Sequence, residues 1–159
     1  VIFQLGYSAP TLIKCQKGQT ITLNRPTTLP RYYSRGFFVQ GTKGLFNEEN
    51  GSIFLDGEHE KYDFSWKDQW GNIETYRETY EHPVWRRYLE EGVKRGHGGM
   101  DWLVFCDFVE ALRDHKPMPI DVYDMASWMS ISTLAEQSIT LGSQPVAVPD
   151  FTNGAWMTR

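Results

Sequence analysis

The feature that most constrains the fold is a glycine-rich break, residues 96–101 (GHGGMD), directly before an apolar run at residues 102–112. Two adjacent glycines, Gly98 and Gly99, permit left-handed backbone angles and a close approach of other groups. The apolar run predicts a helix whose unpaired N–H groups and positive dipole end point back at the break. The segment lacks the preceding strand and third glycine of a dinucleotide-binding fingerprint. It therefore predicts one side of a ligand site rather than a complete one.

Length and composition favour one globular domain over residues 1–159, since a chain of 159 residues with 40% hydrophobic content can form an ordinary core. The net charge of −4 comes without a basic stripe, which disfavours nucleic acid as the main partner. No apolar run approaches the roughly 20 residues that cross a bilayer, so no membrane span is expected. Because the chain opens on Val1 rather than Met, we expect it to be part of a longer protein.

Short β-rich runs separated by turn signals fill the first third of the chain, at residues 11–15, 19–24, 36–40, 45–46 and 53–55. Asn50-Gly51 is one such signal, and the spacing predicts an antiparallel meander. Residues 58–70 mix charges with aromatic rings, which favours a long surface excursion.

Helices are predicted at residues 73–81, 83–92, 101–115 and 121–142. The third is expected to bury its N-terminus. The fourth has apolar or small residues on every face, which predicts neighbours all around it. The tail at residues 145–151 resembles an edge strand that tolerates prolines. The pattern predicts an α+β fold, a mostly antiparallel open sheet covered on one side by helices.

Metal and nucleophile motifs are missing from the sequence. The four histidines lack zinc-binding spacing, and neither Cys-x-x-Cys nor Gly-x-Ser-x-Gly occurs. The carboxylates Asp56, Glu58 and Asp101 are explained by turns and a helix cap. We therefore expect no metal site and assign no catalytic residue to this chain.

Residues 31–35 (RYYSR) form the first candidate binding segment, since they place two cations, two phenols and a hydroxyl before a strand. A loop can offer Arg31, Tyr33 and Arg35 to a polyhydroxylated ligand. The alternative is a surface edge with ordinary arginine–carboxylate pairs.

The second candidate is the glycine-rich break, where His97, Gly98 and Gly99 are expected to lie near a bound cofactor. The alternative for His97 is a structural hydrogen bond at a helix start. Two interpretations stay open for Trp66 and Trp70: their rings pack in the core, or they stack on sugars.

Five segments in order resemble the C-terminal domain of glycoside hydrolase family 109, a branch of the glucose-fructose oxidoreductase and inositol dehydrogenase superfamily. They are residues 29–35 (LPRYYSR), 40–44 (QGTKG), 96–102 (GHGGMDW), 119–124 (PIDVYD) and 148–151 (VPDF). The resemblance covers nearly all of the chain and identifies Tyr33 with the substrate-contacting tyrosine of that family.

The resemblance implies an α-N-acetylgalactosaminidase whose NAD is held mainly by an N-terminal Rossmann domain absent from this chain. The reaction that the resemblance implies oxidises the sugar at C3, removes the C2 proton, eliminates the glycosidic bond, adds water and reduces the ketone again. It also implies a glycan substrate, a homo-oligomer formed through the sheet, and a location in the bacterial periplasm or cell envelope, with the cytoplasm left open.

Two alternatives stay open, the C-terminal domain of an NAD(P)-dependent sugar dehydrogenase and a non-catalytic carbohydrate-binding or assembly module. In the leading interpretation, the 159 residues alone are expected to be inactive and to bind no NAD.

Overall fold

The computed structural model of the protein describes residues 8–92 and 96–158, which divide into two compact units. The first unit consists of Val1–Thr27 and Lys94–Arg159, and the second of Thr28–Val93. Within the described residues the chain forms two small antiparallel sheets and four α-helices, which confirms the predicted α+β class. The predicted assignment of residues 1–159 to one domain stays a prediction.

The first unit begins with a hairpin of β1 (Thr11–Lys14) and β2 (Thr20–Leu23). Its turn closes when the Cys15 N–H donates to the Gln19 carbonyl at 2.8 Å. Gly18 holds a φ of 92° in that turn, which glycine adopts without strain. The hairpin predicted between residues 11 and 24 is confirmed.

Two helices complete the regular structure of the first unit, α3 (Met100–Arg113) and α4 (Val122–Thr140). The Asp121 carboxylate accepts from the N–H groups of Tyr123 and Asp124 at 2.8 and 3.0 Å, and the Asp124 carboxylate accepts from the Asp121 N–H. This capping box satisfies N–H groups that a helix start leaves unpaired, and it lies where the helix at residues 121–142 was predicted to begin.

Two expectations for the first unit are wrong. Asp101, in the first turn of α3, is exposed rather than buried, although Gly99 just before the helix is buried. Residues 145–151 form no strand. Pro145 and Pro149 have no N–H to give to a strand ladder, and Asp150 instead accepts from the Thr152 and Gly154 N–H groups in a turn.

The second unit contains the meander of β3 (Phe38–Gln40), β4 (Gly44–Asn47) and β5 (Ser52–Leu55), in that spatial order. Val39 lies opposite Phe46, which lies opposite Ile53. The five predicted strands are therefore present, but they form two sheets, and the proline-marked residues 25–30 separate β2 from β3 along the chain.

The second unit ends in α1 (Ile73–Tyr80) and α2 (Pro83–Glu91), close to their predicted bounds. Pro83 occupies the first turn of α2, where a missing N–H does no harm, and Gly92 ends the helix with a φ of 86°. The Trp85 and Tyr88 rings of α2 pack edge to face, with their centroids 5.9 Å apart.

In the part of the chain that the structure describes, none of the helices combines the length and apolar character needed to cross a bilayer.

Candidate functional site

The loop around Tyr33, residues 31–37, is stabilised by hydrogen bonds from the side chain of Arg31. The Arg31 Nη1 atom donates to the Ser34 carbonyl at 3.0 Å and to the Tyr32 carbonyl at 3.4 Å. One guanidinium thus bonds two carbonyls on either side of Tyr33. Arg31 therefore has a local structural role in addition to the ligand contact predicted for it.

The same loop is attached to the turn that follows β4. The Glu48 carboxylate accepts from the Phe37 N–H at 3.0 Å and lies 3.9 Å from the Arg35 guanidinium. The Ser34 hydroxyl donates to Glu49 at 3.4 Å. These two glutamates were not predicted as part of the site. The sequence offered one signal for them: in the alternative interpretation of residues 31–35, the arginines of this loop pair with nearby carboxylates.

Tyr33 itself is presented to solvent. The residue is 88% exposed, and no hydrogen bond of its hydroxyl occurs within residues 8–92 and 96–158. A phenol on a loop held in place by Arg31, Ser34 and Glu48 can donate to or accept from a sugar hydroxyl. The predicted contact between Tyr33 and the substrate stays a prediction. The exposed position of the phenol is compatible with such a contact.

The glycine-rich break lies directly before α3. His97, Gly98 and Gly99 have φ values of 52°, 63° and 89°, so three successive residues are left-handed. The Gly99 N–H donates to the Gly96 carbonyl at 3.0 Å and closes the turn. A Cβ on Gly98 would meet no atom of residues 8–92 and 96–158 within 4 Å, so this side of the break is open among the described residues.

His97 is held by a carboxylate that the sequence suggested only as a helix cap. Its Nδ1 lies 2.7 Å from Oδ2 of Asp101, one helical turn further on. This hydrogen bond, and secondly the negative charge of Asp101, raise the pKa of His97. Both side chains are exposed, so the charge pair can orient the imidazole while leaving it accessible.

The predicted residues fall into two groups. Arg31, Tyr33 and Arg35 share one loop of the second unit, whereas His97 and the two glycines share one break of the first unit. The structure therefore forms each predicted segment, and their roles in binding stay predictions.

A polar cluster at the end of β5 was not predicted. The Leu55 N–H donates to Nδ1 of His59 at 2.9 Å, so the bond assigns the proton of a neutral His59 to Nε2. Nε2 lies 3.3 Å from the Tyr76 hydroxyl, which donates to Glu58 at 3.3 Å. Burial, then the Glu58 charge, raise the pKa of Tyr76. The cluster joins β5 to α1.

Among the described residues, no three histidine, cysteine, aspartate or glutamate side chains are placed to hold a metal ion.

Comparison with known proteins identifies the family. The family model described as "Glycosyl hydrolase 109, C-terminal domain" matches residues 1–158. A glycosyl hydrolase family 109 protein of Stenotrophomonas maltophilia is 46% identical over 159 residues, which are 100% of this chain and 34% of that protein. An alpha-N-acetylgalactosaminidase of Tannerella forsythia is 39% identical over 157 residues, 99% of this chain and 32% of that protein.

A further family 109 protein, from Parabacteroides distasonis, is 39% identical over 159 residues, 100% of this chain and 33% of its own length. The chain thus spans about a third of the length of these relatives. The match over residues 1–158 confirms the resemblance carried by the five segments. The chain belongs to glycoside hydrolase family 109, within which it corresponds to the C-terminal domain.

Proposed function

We propose that the chain is the substrate-pocket and assembly domain of an NAD-dependent enzyme that hydrolyses α-N-acetylgalactosaminides. The observation that supports this most is the family match over residues 1–158, together with a relative named alpha-N-acetylgalactosaminidase. The accessible Tyr33 phenol on its fixed loop gives the domain a group suited to a sugar hydroxyl. The intact protein, rather than this domain alone, is the proposed catalyst.

Within this proposal, Tyr33 binds and orients the sugar through one hydrogen bond. Arg31 and Arg35 help to hold the loop in place. Arg31 donates to its carbonyls, and Arg35 lies beside Glu48. Loss of one such bond to a neutral group weakens binding by about 0.5–1.5 kcal/mol, or roughly two- to tenfold. The expected contribution of this domain is therefore substrate affinity and orientation.

NAD, when bound, supplies reversible hydride transfer at C3 of the sugar. The residues of this chain are suited to contact only a small part of the NAD molecule. The open side of Gly98 leaves room for a ligand, and the imidazole of His97 can donate to a hydroxyl. The exposed Asp101 carboxylate disfavours a phosphate there. We therefore assign His97 and Gly98 to a hydroxyl-bearing portion of the cofactor or substrate.

The test uses the intact protein with an aryl α-N-acetylgalactosaminide. Release of the aryl group without accumulation of NADH, and deuterium at C2 of the product formed in D₂O, are expected. Accumulating NADH with a free sugar and no cleavage of the glycoside would favour a dehydrogenase and overturn the proposal.

Tyr33→Phe tests the role of this domain in the same assay. We expect kcat/KM to fall roughly two- to tenfold with unchanged folding, since a loop hydroxyl contributes a hydrogen bond and not core volume. Tyr32→Phe is the matched control, because the neighbouring phenol is 96% exposed and has no proposed contact. Equal effects of the two substitutions, or no effect of either, would remove Tyr33 from the site.

A further inference from the structure

Two tryptophans stand exposed on one short turn of the second unit, and neither is used by the proposed site. Trp66 and Trp70, here called the tryptophan pair, lie at the start and just past the end of the 3₁₀ turn Trp66–Gln69. The two residues are 52% and 50% exposed, and their ring centroids are 5.3 Å apart with the planes tilted by 56°. Two large aromatic rings therefore meet solvent at one place.

The backbone that carries the tryptophan pair is fixed at both ends. Before the turn, the Ser65 N–H donates to Asp63 and the Asp68 N–H donates to the Ser65 carbonyl, both at 2.8 Å. After it, the Gly71 N–H donates to the Asn50 carbonyl at 2.9 Å. Rings on an ordered backbone lose little conformational freedom when a ligand binds, which favours affinity.

The segment that carries the rings is polar in sequence. Between Gly57 and Ile73 the sequence holds no aliphatic side chain, and every residue is aromatic, charged, polar or glycine. The Lys67 ammonium lies 5.4 Å from the centre of the Trp66 ring, and Asp68 and Gln69 follow it. Flat rings beside donors and acceptors match a pyranose, which has C–H groups on its face and hydroxyls at its rim.

The tryptophan pair and the Tyr33 loop are attached to the same turn between β4 and β5. Glu48 and Glu49 hold the Tyr33 loop, and the next residue, Asn50, holds the end of the tryptophan turn. Both candidate segments therefore depend on one hairpin within one compact unit.

We propose that the tryptophan pair is an accessory subsite for a neutral pyranose residue of the glycan, outside the reacting N-acetylgalactosamine. This inference rests on the proposed function for the identity of the glycan. It assigns Trp66 and Trp70 to substrate selection and gives them no part in bond cleavage.

The kinetic test compares two substrates of the intact protein: a tagged oligosaccharide that ends in α-linked N-acetylgalactosamine, and an aryl α-N-acetylgalactosaminide with no second sugar. Trp66→Ala and Trp70→Ala should each raise KM for the oligosaccharide about three- to tenfold, as expected for a lost aromatic contact. Kinetics with the aryl glycoside should not change. Tyr80→Ala is the control, because it removes an aromatic ring from a residue that is 72% exposed in α1 of the same unit and has no proposed contact.

Equal losses with both substrates, or no loss with the oligosaccharide, would overturn the subsite. A second measurement on the wild-type intact protein does not depend on catalysis. Oxidative footprinting read by mass spectrometry should modify Trp66 and Trp70, and the oligosaccharide should protect them whereas mannitol, an acyclic polyol, should not.

The footprint separates the two proposals. If the aryl glycoside is not cleaved but the oligosaccharide protects both indoles, the glycosidase function fails and the subsite stands. If the glycoside is cleaved and the indoles resist oxidation or gain no protection, the glycosidase function stands and the subsite is wrong.

Discussion

Asn72 is the side chain on which the junction between β5 and α1 depends. β5 is an edge strand, and the Ile53 N–H and C=O point away from β4. The Asn72 amide accepts from that N–H and donates to that C=O, both at 2.8 Å. One side-chain amide thus satisfies the edge as a neighbouring strand would.

Asn72→Ala should remove both bonds and leave two half-buried backbone groups without partners. At about 1 kcal/mol net for each bond, with some further penalty for the unpaired groups, the expected loss is about 2–3 kcal/mol. The free energy of local opening at Ile53 should fall by the same amount. Amide exchange at Ile53 should therefore accelerate roughly 30- to 150-fold, if the residue exchanges by local opening.

Hydrogen exchange followed by NMR at the Ile53 amide is the assay, with urea unfolding as a second measure. Asn47→Ala is the matched control, because the Asn47 side chain accepts a single exposed bond from the Glu49 N–H at 3.1 Å. It should change stability by less than about 1 kcal/mol. An Ile53 exchange rate within threefold of wild type, or equal shifts for both substitutions, would refute the reasoning.

Three other predictions concern a cap, a close contact and a titration. Asp121→Ala removes the capping box of α4 and should lower the free energy of unfolding by about 1 kcal/mol in urea titrations, because two N–H groups lose their acceptor. Gly44→Ala would place a Cβ 2.9 Å from the Phe54 carbonyl and should destabilise the β4–β5 pair by about 1–3 kcal/mol, whereas Gly41→Ala, whose nearest atom is at 3.8 Å, should be tolerated. The pKa of His97 is raised by Asp101, so their pairing stabilises the fold fully below the ordinary value of 6.5 and this contribution is lost as pH rises through the folded pKa. Asp101→Asn should lower the His97 midpoint in an NMR titration, and an unchanged midpoint would contradict the pairing.

Elements with local chemical signals were predictable from the sequence. Asn50-Gly51 marks a hairpin turn, Pro83 and Gly92 mark the ends of α2, and Asp121 marks the start of α4. Each signal acts within a few residues and needs no knowledge of the rest of the fold. The exception was the tail at residues 145–151, which was predicted to be an edge strand that tolerates prolines, although Pro145 and Pro149 remove donors and no strand forms.

The contacts that build the candidate site were not predictable in the same way. Glu48 bonds the Phe37 N–H across 11 positions, and Asn72 bonds Ile53 across 19. A polar side chain near a turn has many possible partners, and only the folded backbone selects one. The sequence therefore indicated candidate binding residues, such as Tyr33, but not the glutamates that hold their loop.

The apolar pattern of the long helix α4 predicts neighbours on every side, and the described residues of this chain supply only some of them. Apolar residues on all its faces predict neighbours all around, yet Met125, Trp128 and Met129 are 53%, 58% and 67% exposed. Ala135 is buried, and Arg25 donates to Ser132 at 3.3 Å, so the helix does have contacts within the first unit. Exposed apolar area of this extent favours a covering surface, because its burial is favourable by about 25 cal/mol for each Å². The proposed NAD-binding domain is the surface that we expect to cover it, which would link assembly of the intact enzyme to completion of the substrate pocket.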